Sequence, residues 1–396
     1  MKEISLRVRE GFISHHDTET CADPHRNYTM QRILIIFVLA LASPFFGLAY
    51  GEDILSSTRL YSGMSRPVPV ILALRGRNQV PPEGFQLVLL NGEGTVIESA
   101  DGLQPGMLDL GELLPSIWTL KNVARAQIIA DGVAIGTPLV IQPLVNPKFP
   151  RSGLSDTGNP RVIGFDDEPL GEDEREQFER LREESTWPTK LPTMNSGIKI
   201  YPDRDVLVEV EGMDAIRIVL GPEYAPNTAW NFRDLAEHGF YDDTIFHRIF
   251  PININGDRMW IMGGDPSGSG IGTAGKFITM EPSTLPHDLG VLSMTRGADP
   301  NSASSRFLIC LSRPATAAFD GQYASFGWIA EGRKTLAQLA DLEIDQDTGI
   351  PIDPPRISRM KLVPAAPHDP GTSRTNSKIT TWWEAPKAPE PGRIPR

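Results

Sequence analysis

The stretch FYDDTIFHRIFP (240–251) is central to interpreting the second half of this chain. Its aromatic and aliphatic residues predict a buried strand, yet His247 and Arg248 stand in the middle of it. A buried arginine is costly without a partner, so one interpretation is a strand arginine paired with a carboxylate. The other interpretation is an arginine that faces a functional site.

Regular elements lie on both sides of this stretch. The segments DVLVEVEG (205–212) and DAIRIVL (214–220) alternate apolar and polar residues and predict a hairpin. The segment APNTAWNFRDLAEHGFY (225–241) predicts a helix with Pro226 in its first turn. GRKTLAQLADLE (332–343) predicts a second, shorter helix. Many strands with two helices suggest a closed barrel capped at its ends.

Three kinds of catalytic or cofactor site find no support in the motifs. GIGTAG (270–275) matches the dinucleotide pattern, but strand-like KFITM (276–280) follows it where a helix is needed, so we interpret it as a flexible glycine loop. His238, His247 and His287 are isolated, so we expect hydrogen-bonded histidines and no metal. A serine-hydrolase elbow, G-x-S-x-G, is absent from the sequence.

Composition limits the partners of the protein. A length of 396 residues with 40% hydrophobic content predicts two domains and tails. The net charge of -12 and pI of about 5.2 argue against nucleic acid or an anionic membrane surface as partner. The two cysteines, Cys21 and Cys310, cannot form a zinc cluster or a disulfide framework.

The stretch MQRILIIFVLALASPFFGLAYG (30–51) has the pattern of a secretory signal peptide. Residues 1–51 are therefore interpreted as an N-terminal extension and signal, with Met30 as the expected true start. We expect export to the periplasm or cell envelope. A retained membrane anchor is the alternative, although the apolar run 33–48 is slightly short of a full span.

Residues 52–150 predict a small β-sandwich-like accessory domain. Short apolar runs such as FQLVLL (85–90) and TPLVIQPL (137–144) are separated by turn residues, and Asn91-Gly92 and Asp131-Gly132 are typical of hairpins. We see no catalytic cluster in this part of the chain.

Composition also predicts where the domains end. Residues 151–195 are predicted to be an acidic linker, because GEDEREQFERLREES (171–185) is highly charged. Residues 364–396 are rich in Pro, Ser and Thr and predict a disordered tail. The informative domain therefore spans 196–363.

Six segments of this domain occur in a recognisable order. They are APNTAWNF (225–232), FYDDTIFHRIFP (240–251), MWIMGGDPSGSG (259–270), GVLSM (290–294), SSRFLIC (304–310) and FDGQYASFGWIAEG (319–332). Their order and residue types resemble the cyclophilins, the peptidyl-prolyl cis-trans isomerases. The resemblance implies a mainly β fold, an eight-stranded antiparallel β-barrel capped by two helices, here preceded by the sandwich-like domain.

The implied chemistry suggests a role for Arg248. Rotation about a peptide bond costs about 18–20 kcal/mol, and X-Pro exchange is slow. A fixed donor aimed at the prolyl nitrogen stabilises the twisted transition state, and an apolar pocket strengthens that donor. By resemblance Arg248 is the catalytic donor, and neither a cofactor nor a metal is needed.

The resemblance also implies a set of substrate-binding positions. These are Met259, Trp260, Met262, Thr295, Arg296, Arg306, Leu308, Phe319 and Tyr323. Met262 stands where the family has a glutamine that binds substrate backbone, and Leu308 replaces a larger phenylalanine. Arg296 and Arg306 add charge near the groove, which would favour acidic substrates. An insertion, ININGDR (252–258), separates the arginine strand from Met259 and would reshape the groove.

Two functions remain open from the sequence. The first is an isomerase that assists the folding of exported proteins, with activity reduced by the altered positions. The alternative is a catalytically weak or inactive cyclophilin-like module that binds proline segments as a scaffold of the cell envelope. In both cases the expected partners are proline-containing polypeptides, without nucleic acid and without a membrane beyond the possible signal anchor.

Overall fold

The computed structural model describes residues 53–74, 80–155, 157–166, 194–250, 258–345 and 347–374. All of them belong to one compact unit. The predicted signal, Cys21, the acidic run 171–185, all but the last residue of the 252–258 insertion and the end of the tail lie outside the described residues. Within the ranges given, none of the helices is long and apolar enough to cross a membrane.

Two antiparallel sheets form the N-terminal domain. Their strands are β1 (Leu55–Ser57), β2 (Tyr61–Gly63), β3 (Pro69–Leu72), β4 (Phe85–Leu90), β5 (Val96–Leu103), β6 (Gly106–Asp109), β7 (Ala124–Ala130), β8 (Val133–Val145) and β11 (Asn195–Pro202), with helix α1 (Leu110–Leu113) and a 3-10 turn at Pro115–Thr119. The sheet orders are β1-β3-β6 and β2-β11-β8-β7-β4-β5. Val70 of the first sheet and Phe85 and Leu139 of the second share one buried core, which makes the predicted sandwich. Asp131 and Gly132 have φ of 50° and 79°, as a primed hairpin turn requires.

The boundary between the domains differs from the predicted residue 196. Strand β11 pairs with β8 and β2, so residues 195–202 complete the N-terminal sheet. The next strand, β12 (Arg204–Val210), already belongs to the second sheet. The predicted hairpin begins only at residue 205, and nothing in the sequence says which sheet residues 196–202 join; the structure places the boundary at Asp203.

The second domain is built on one eight-stranded antiparallel sheet. Besides β12, its strands are β13 (Ile216–Leu220), β14 (Arg248–Ile249), β15 (Trp260–Gly263), β16 (Val291–Met294), β17 (Phe307–Cys310), β18 (Ser325–Glu331) and β19 (Ile357–Pro364). The order is β14-β15-β17-β16-β18-β13-β12-β19, and a bridge between Ile245 and Arg356 connects the two edges of the sheet. This is the mainly β architecture predicted from the sequence.

Two helices, α2 (Pro226–Glu237) and α4 (Arg333–Ala340), pack on this sheet through apolar faces. Between them in the sequence, α3 (Arg313–Thr316) is a single turn that buries only Thr316, and a 3-10 turn follows it at Ala317–Phe319. Pro226 occupies the first turn of α2, as predicted. Phe232 of α2 lies at the centre of an aromatic core, with ring centroids 5.1, 5.3 and 5.0 Å from those of Tyr241, Phe307 and Phe326. The core fixes the strands that carry the site.

A hairpin occupies the start of the region predicted to be a linker. Strand β9 (Pro150–Leu154) pairs with β10 (Pro160–Phe165), and Val162 and Phe165 are buried in the core of the second domain. The backbone N–H of Val162 donates to Oε1 of Gln322 at 2.9 Å, and Nε2 of Gln322 donates to the Val162 carbonyl at 3.0 Å. Residues 151–155 and 157–166 therefore form a hairpin anchored on the second domain, contrary to the linker interpretation.

The start of the predicted tail is also packed. His368 is buried, and its backbone N–H donates to Oε1 of Gln127 at 2.9 Å. The N–H of Gly371 donates to the carbonyl of Gly94 at 2.8 Å. Residues 368–371 thus contact the N-terminal domain, whereas Trp382-Trp383 lie outside the described residues. Composition predicted disorder here because it takes no account of these long-range bonds.

A buried cluster of charges joins the two domains and the tail. Arg125 of β7 donates Nε to Oδ2 of Asp203 and Nη2 to Oε2 of Glu223, each at 2.8 Å. Arg374 also pairs with Asp203 and lies 3.4 Å from Oδ1 of Asp205. Burial would lower the pKa of Arg125, but the carboxylates of Glu223 and Asp203 more than offset this and raise it. Both domains are therefore tied to one charged centre.

Candidate active site

The register of four neighbouring strands sets Arg248, Met262, Leu308 and Ser293 side by side. Arg248 pairs with Met262, Met262 with Leu308, and Leu308 with Ser293. Directly paired residues point to the same face of a sheet, so these side chains form one row. Ile261, the neighbour of Met262 along β15, points into the core. The row therefore lies on the outer face of the sheet.

Four aromatic rings border this face and are called the aromatic row: Phe250, Trp260, Phe319 and Tyr323. Centroids are 4.4 Å apart for Phe250 and Trp260, 4.9 Å for Trp260 and Phe319, and 5.0 Å for Phe319 and Tyr323. Phe250 was missed as a site residue. Its position two residues after Arg248 was a usable signal, because residues i and i+2 of a strand share a face.

The guanidinium of Arg248 is exposed at one end of the aromatic row. Its Cζ atom lies 4.4 Å from the centroid of Phe250, a cation–π contact. Among the described residues, no carboxylate forms an ion pair with Arg248. The carboxylate partner that the sequence left open is therefore not found in this part of the chain, and Arg248 is an exposed residue.

An apolar floor lies beside Arg248. Leu308 is only 3% exposed and Met262 is half-buried. Met262 carries no amide, so its side chain offers a ligand only a weak thioether acceptor. We call this apolar surface of Leu308 and Met262, between Arg248 and the aromatic row, the hollow; it offers contact to an apolar ring but no side-chain amide.

His287 contacts two residues of this site, Ser293 and Phe319, and was not predicted to belong to it. Its Nδ1 lies 2.9 Å from Oδ1 of Asp320 and its Nε2 lies 2.8 Å from Oγ of Ser293. The ring centroid is 5.8 Å from that of Phe319. Burial lowers the pKa of His287 although Asp320 acts in the other direction. Its partner Asp320 is 33 residues away, so no local pattern predicts this role.

The remaining predicted residues surround the hollow in different ways. Cζ of Arg296 lies 4.9 Å from the Tyr323 centroid, at the other end of the aromatic row. The Arg306 guanidinium donates to the carbonyl of Gly270. Thr295 is buried, and its Oγ1 donates to the carbonyl of Arg306 at 3.1 Å. Met259 precedes β15 and is half-buried.

Comparison with known proteins identifies this architecture. The family model for cyclophilin type peptidyl-prolyl cis-trans isomerase/CLD matches residues 206–362. Peptidyl-prolyl cis-trans isomerase ppi1 of Schizosaccharomyces pombe is 37% identical over 147 residues, which cover 36% of this chain and 88% of the relative. This chain belongs to the cyclophilin family.

Other relatives match the same domain. Peptidyl-prolyl cis-trans isomerase-like 1 of Aspergillus fumigatus is 33% identical over 38% of this chain and 91% of its own length. A crystal structure of a Cryptosporidium parvum cyclophilin type isomerase with the dipeptide Ala-Pro is 29% identical, covers 40% of this chain and 98% of that one, and has a TM-score of 0.36. The family match begins three residues after Asp203, so the sandwich lies outside it.

The glycine-rich loop of this cyclophilin domain winds around one buried carboxylate. Asp265 accepts hydrogen bonds from the N–H and Oγ of Ser267, each at 2.7 Å, and from the N–H of Gly272 at 2.9 Å. Gly264 has φ of 80°, and a Cβ there would lie 2.5 Å from the Ser305 carbonyl oxygen. The predicted flexible loop is thus an ordered turn that requires glycine.

The contribution of Asp265 to the free energy of unfolding depends on pH. Burial would raise its pKa, but hydrogen bonds from Ser267, Gly272 and Gly270 outweigh burial and lower it from 3.8 to about 2. A folded-state pKa below the unfolded value means the stabilisation is complete above about pH 4 and is lost as the pH falls toward 2.

Asp265→Asn should lower the free energy of unfolding at pH 7 by roughly 2 kcal/mol, since its NH2 group would face donors. Urea unfolding at pH 7 and near pH 3 checks this, with the difference between wild type and variant shrinking at the lower pH. Asp299→Asn, at an exposed loop residue, is the control and should change stability little. A deficit that stays constant with pH would contradict the charged-carboxylate explanation.

The described residues contain no cluster of three or more His, Cys, Asp or Glu side chains that could hold a metal. Cys310 is a buried free thiol, and burial raises its pKa to about 12. At neutral pH it is therefore protonated and a poor nucleophile.

Proposed function

We propose that this chain catalyses cis-trans isomerisation of X-Pro bonds at the hollow between Arg248 and the aromatic row. One observation carries the proposal: the exposed guanidinium of Arg248 borders an apolar floor without an ion-pair partner among the described residues. Membership of the cyclophilin family supports it. The clients would be proline-containing polypeptides.

The mechanism follows from the loss of amide resonance. In the twisted transition state the lone pair returns to the prolyl nitrogen, which becomes a better hydrogen-bond acceptor than in either planar state. A guanidinium N–H aimed at this nitrogen therefore binds the transition state more strongly than the ground states. Leu308 and the aromatic row would hold the proline ring and exclude water, which strengthens the hydrogen bond. The Phe250 ring limits the positions that the guanidinium can take.

A second candidate is a module that binds proline segments without useful turnover. Met262 favours this second function. Its apolar side chain cannot hydrogen-bond the substrate backbone as an amide would, so it cannot fix the position of the X-Pro bond. The two functions share the same hollow and differ only in rate.

Two-dimensional NMR exchange on an Ala-Pro peptide separates the two candidates without a coupling protease. The full chain should produce cis-trans exchange peaks at mixing times at which the peptide alone shows none. Fluorescence anisotropy of a labelled peptide measures binding in parallel. Binding with exchange identical to buffer would refute catalysis and leave the scaffold function.

Export of the protein remains a separate part of the proposal. It is supported by the apolar run 33–48 behind Arg32 and by small residues near 49–51, with a retained anchor as the alternative. Mass spectrometry of the N-terminus of the protein purified from its own cells would distinguish the two. A cleaved end near residue 51 supports export, and an intact apolar run supports the anchor.

A further inference from the structure

The aromatic row has an arginine at each end. Arg248 lies over Phe250 at one end, and Arg296 lies over Tyr323 at the other, at 4.4 and 4.9 Å from the ring centroids. Arg248 has a role in the proposed reaction, whereas nothing in that reaction uses Arg296. Its side chain therefore needs another explanation.

Arg296 is held in place but is not neutralised. Its Nε donates to the carbonyl of Gln322 at 3.0 Å and its Nη1 to the carbonyl of Gly297 at 2.9 Å. Carbonyl acceptors fix the direction of a guanidinium without cancelling its charge. Nη2 makes no hydrogen bond to the described residues, and a planar arginine held in this way loses little entropy when it binds a carboxylate.

The acidic residues around the site are already engaged. Asp265 is enclosed by the donors of the glycine loop, and Asp320 binds both Arg313, at 3.0 Å, and His287. Asp299, three residues after Arg296, accepts from the N–H of Asn301 at 2.8 Å.

Arg306 adds to the local charge, because its described bond is to the Gly270 carbonyl. Neither Arg296 nor Arg306 has an ion pair within the part of the chain that the structure describes. In a chain of net charge -12, Arg248, Arg296 and Arg306 thus place three guanidinium groups without ion pairs to the described residues at this hollow.

We infer that the groove prefers proline segments with an aspartate or glutamate near the X-Pro bond, and that Arg296 binds the acidic side chain. The inference rests on the proposed function for the location of the proline. It adds the class of substrate: acidic polypeptide segments that pair with Arg296 while the proline ring occupies the hollow.

The test uses the full chain and peptides that differ by one isosteric residue. Glu is placed, one position per peptide, at the two positions before Ala-Pro and at the two positions after it. Each peptide is compared with the same peptide carrying Gln at that position. Affinity is measured by anisotropy, and turnover by NMR exchange, at low and high salt. At one position at least, Glu should bind about threefold to fivefold more tightly than Gln at low salt, with the preference reduced by salt.

Arg296→Gln should bring the Glu to Gln ratio of dissociation constants close to one, and Arg296→Lys should retain part of it. Arg66→Gln, which removes an exposed arginine from the N-terminal sandwich, is matched in charge and should keep the full ratio. Thermal melts check that each variant is folded.

Equal affinity for Glu and Gln peptides in the wild type would overturn the inference, as would a ratio that survives Arg296→Gln. Turnover without a Glu preference would refute only this inference. A Glu preference in binding without any turnover would refute only the catalytic function.

Discussion

Arg248→Ala should lower kcat/KM for X-Pro peptides by about 10²–10³-fold, the usual cost of removing one preorganised donor to a transition state. The loss should fall mainly on kcat, because Leu308, Trp260 and Phe319 still bind the proline ring. NMR exchange at saturating enzyme measures the rate, and anisotropy measures the dissociation constant. Arg248 is exposed and makes no ion pair with the described residues, so the free energy of unfolding measured with urea should change little.

Arg248→Lys distinguishes charge from geometry. An ammonium keeps the charge but cannot present the rigid planar donors of guanidinium, so an intermediate rate is expected. Arg359→Ala, an exposed arginine of β19, is the matched control and should retain wild-type turnover. If Arg248→Ala keeps the wild-type rate as well, the donor mechanism is excluded, whatever the affinity of the hollow.

The site was predictable from sequence to the extent that it depends on strands. Once Arg248, Met262 and Leu308 are placed on strands, the two-residue repeat of a strand determines the face of the sheet to which each side chain points. The resemblance to the cyclophilins, rather than any periodicity, then grouped these residues into one site. That resemblance was recognisable because the six segments keep their order within residues 225–332.

Contacts between distant segments could not be predicted in this way. Val162 and Gln322 are 160 residues apart, so the composition of 151–195 indicated a linker where a hairpin packs. Arg296 and Tyr323 approach through two loops, and no periodicity relates loops to each other. Arg125 is the clearest case, because its partners Asp203 and Glu223 lie 78 and 98 residues further along.

Arg125→Ala should lower the free energy of unfolding by about 3–5 kcal/mol, the range for removing one partner of a buried ion pair. Arg125 is 0% exposed, and the substitution would leave the carboxylates of Asp203 and Glu223 buried with less positive charge around them. Urea unfolding of the full chain at pH 7 measures the loss. Arg204→Ala breaks a more exposed pair with Asp53 and should cost no more than about 1 kcal/mol.

A triple variant without the three charges tests why Arg125→Ala is unstable. It distinguishes the burial of unpaired carboxylates from the loss of packing by the arginine side chain. Replacing Arg125 by Met, Asp203 by Asn and Glu223 by Gln together removes the charges while roughly keeping the volume, so it should recover a large part of the stability lost by Arg125→Ala. Arg374 would then keep only its contact with Asp205, so recovery should stay incomplete. If the triple variant is as unstable as Arg125→Ala, packing of the arginine stem, rather than charge, holds the sandwich to the cyclophilin domain.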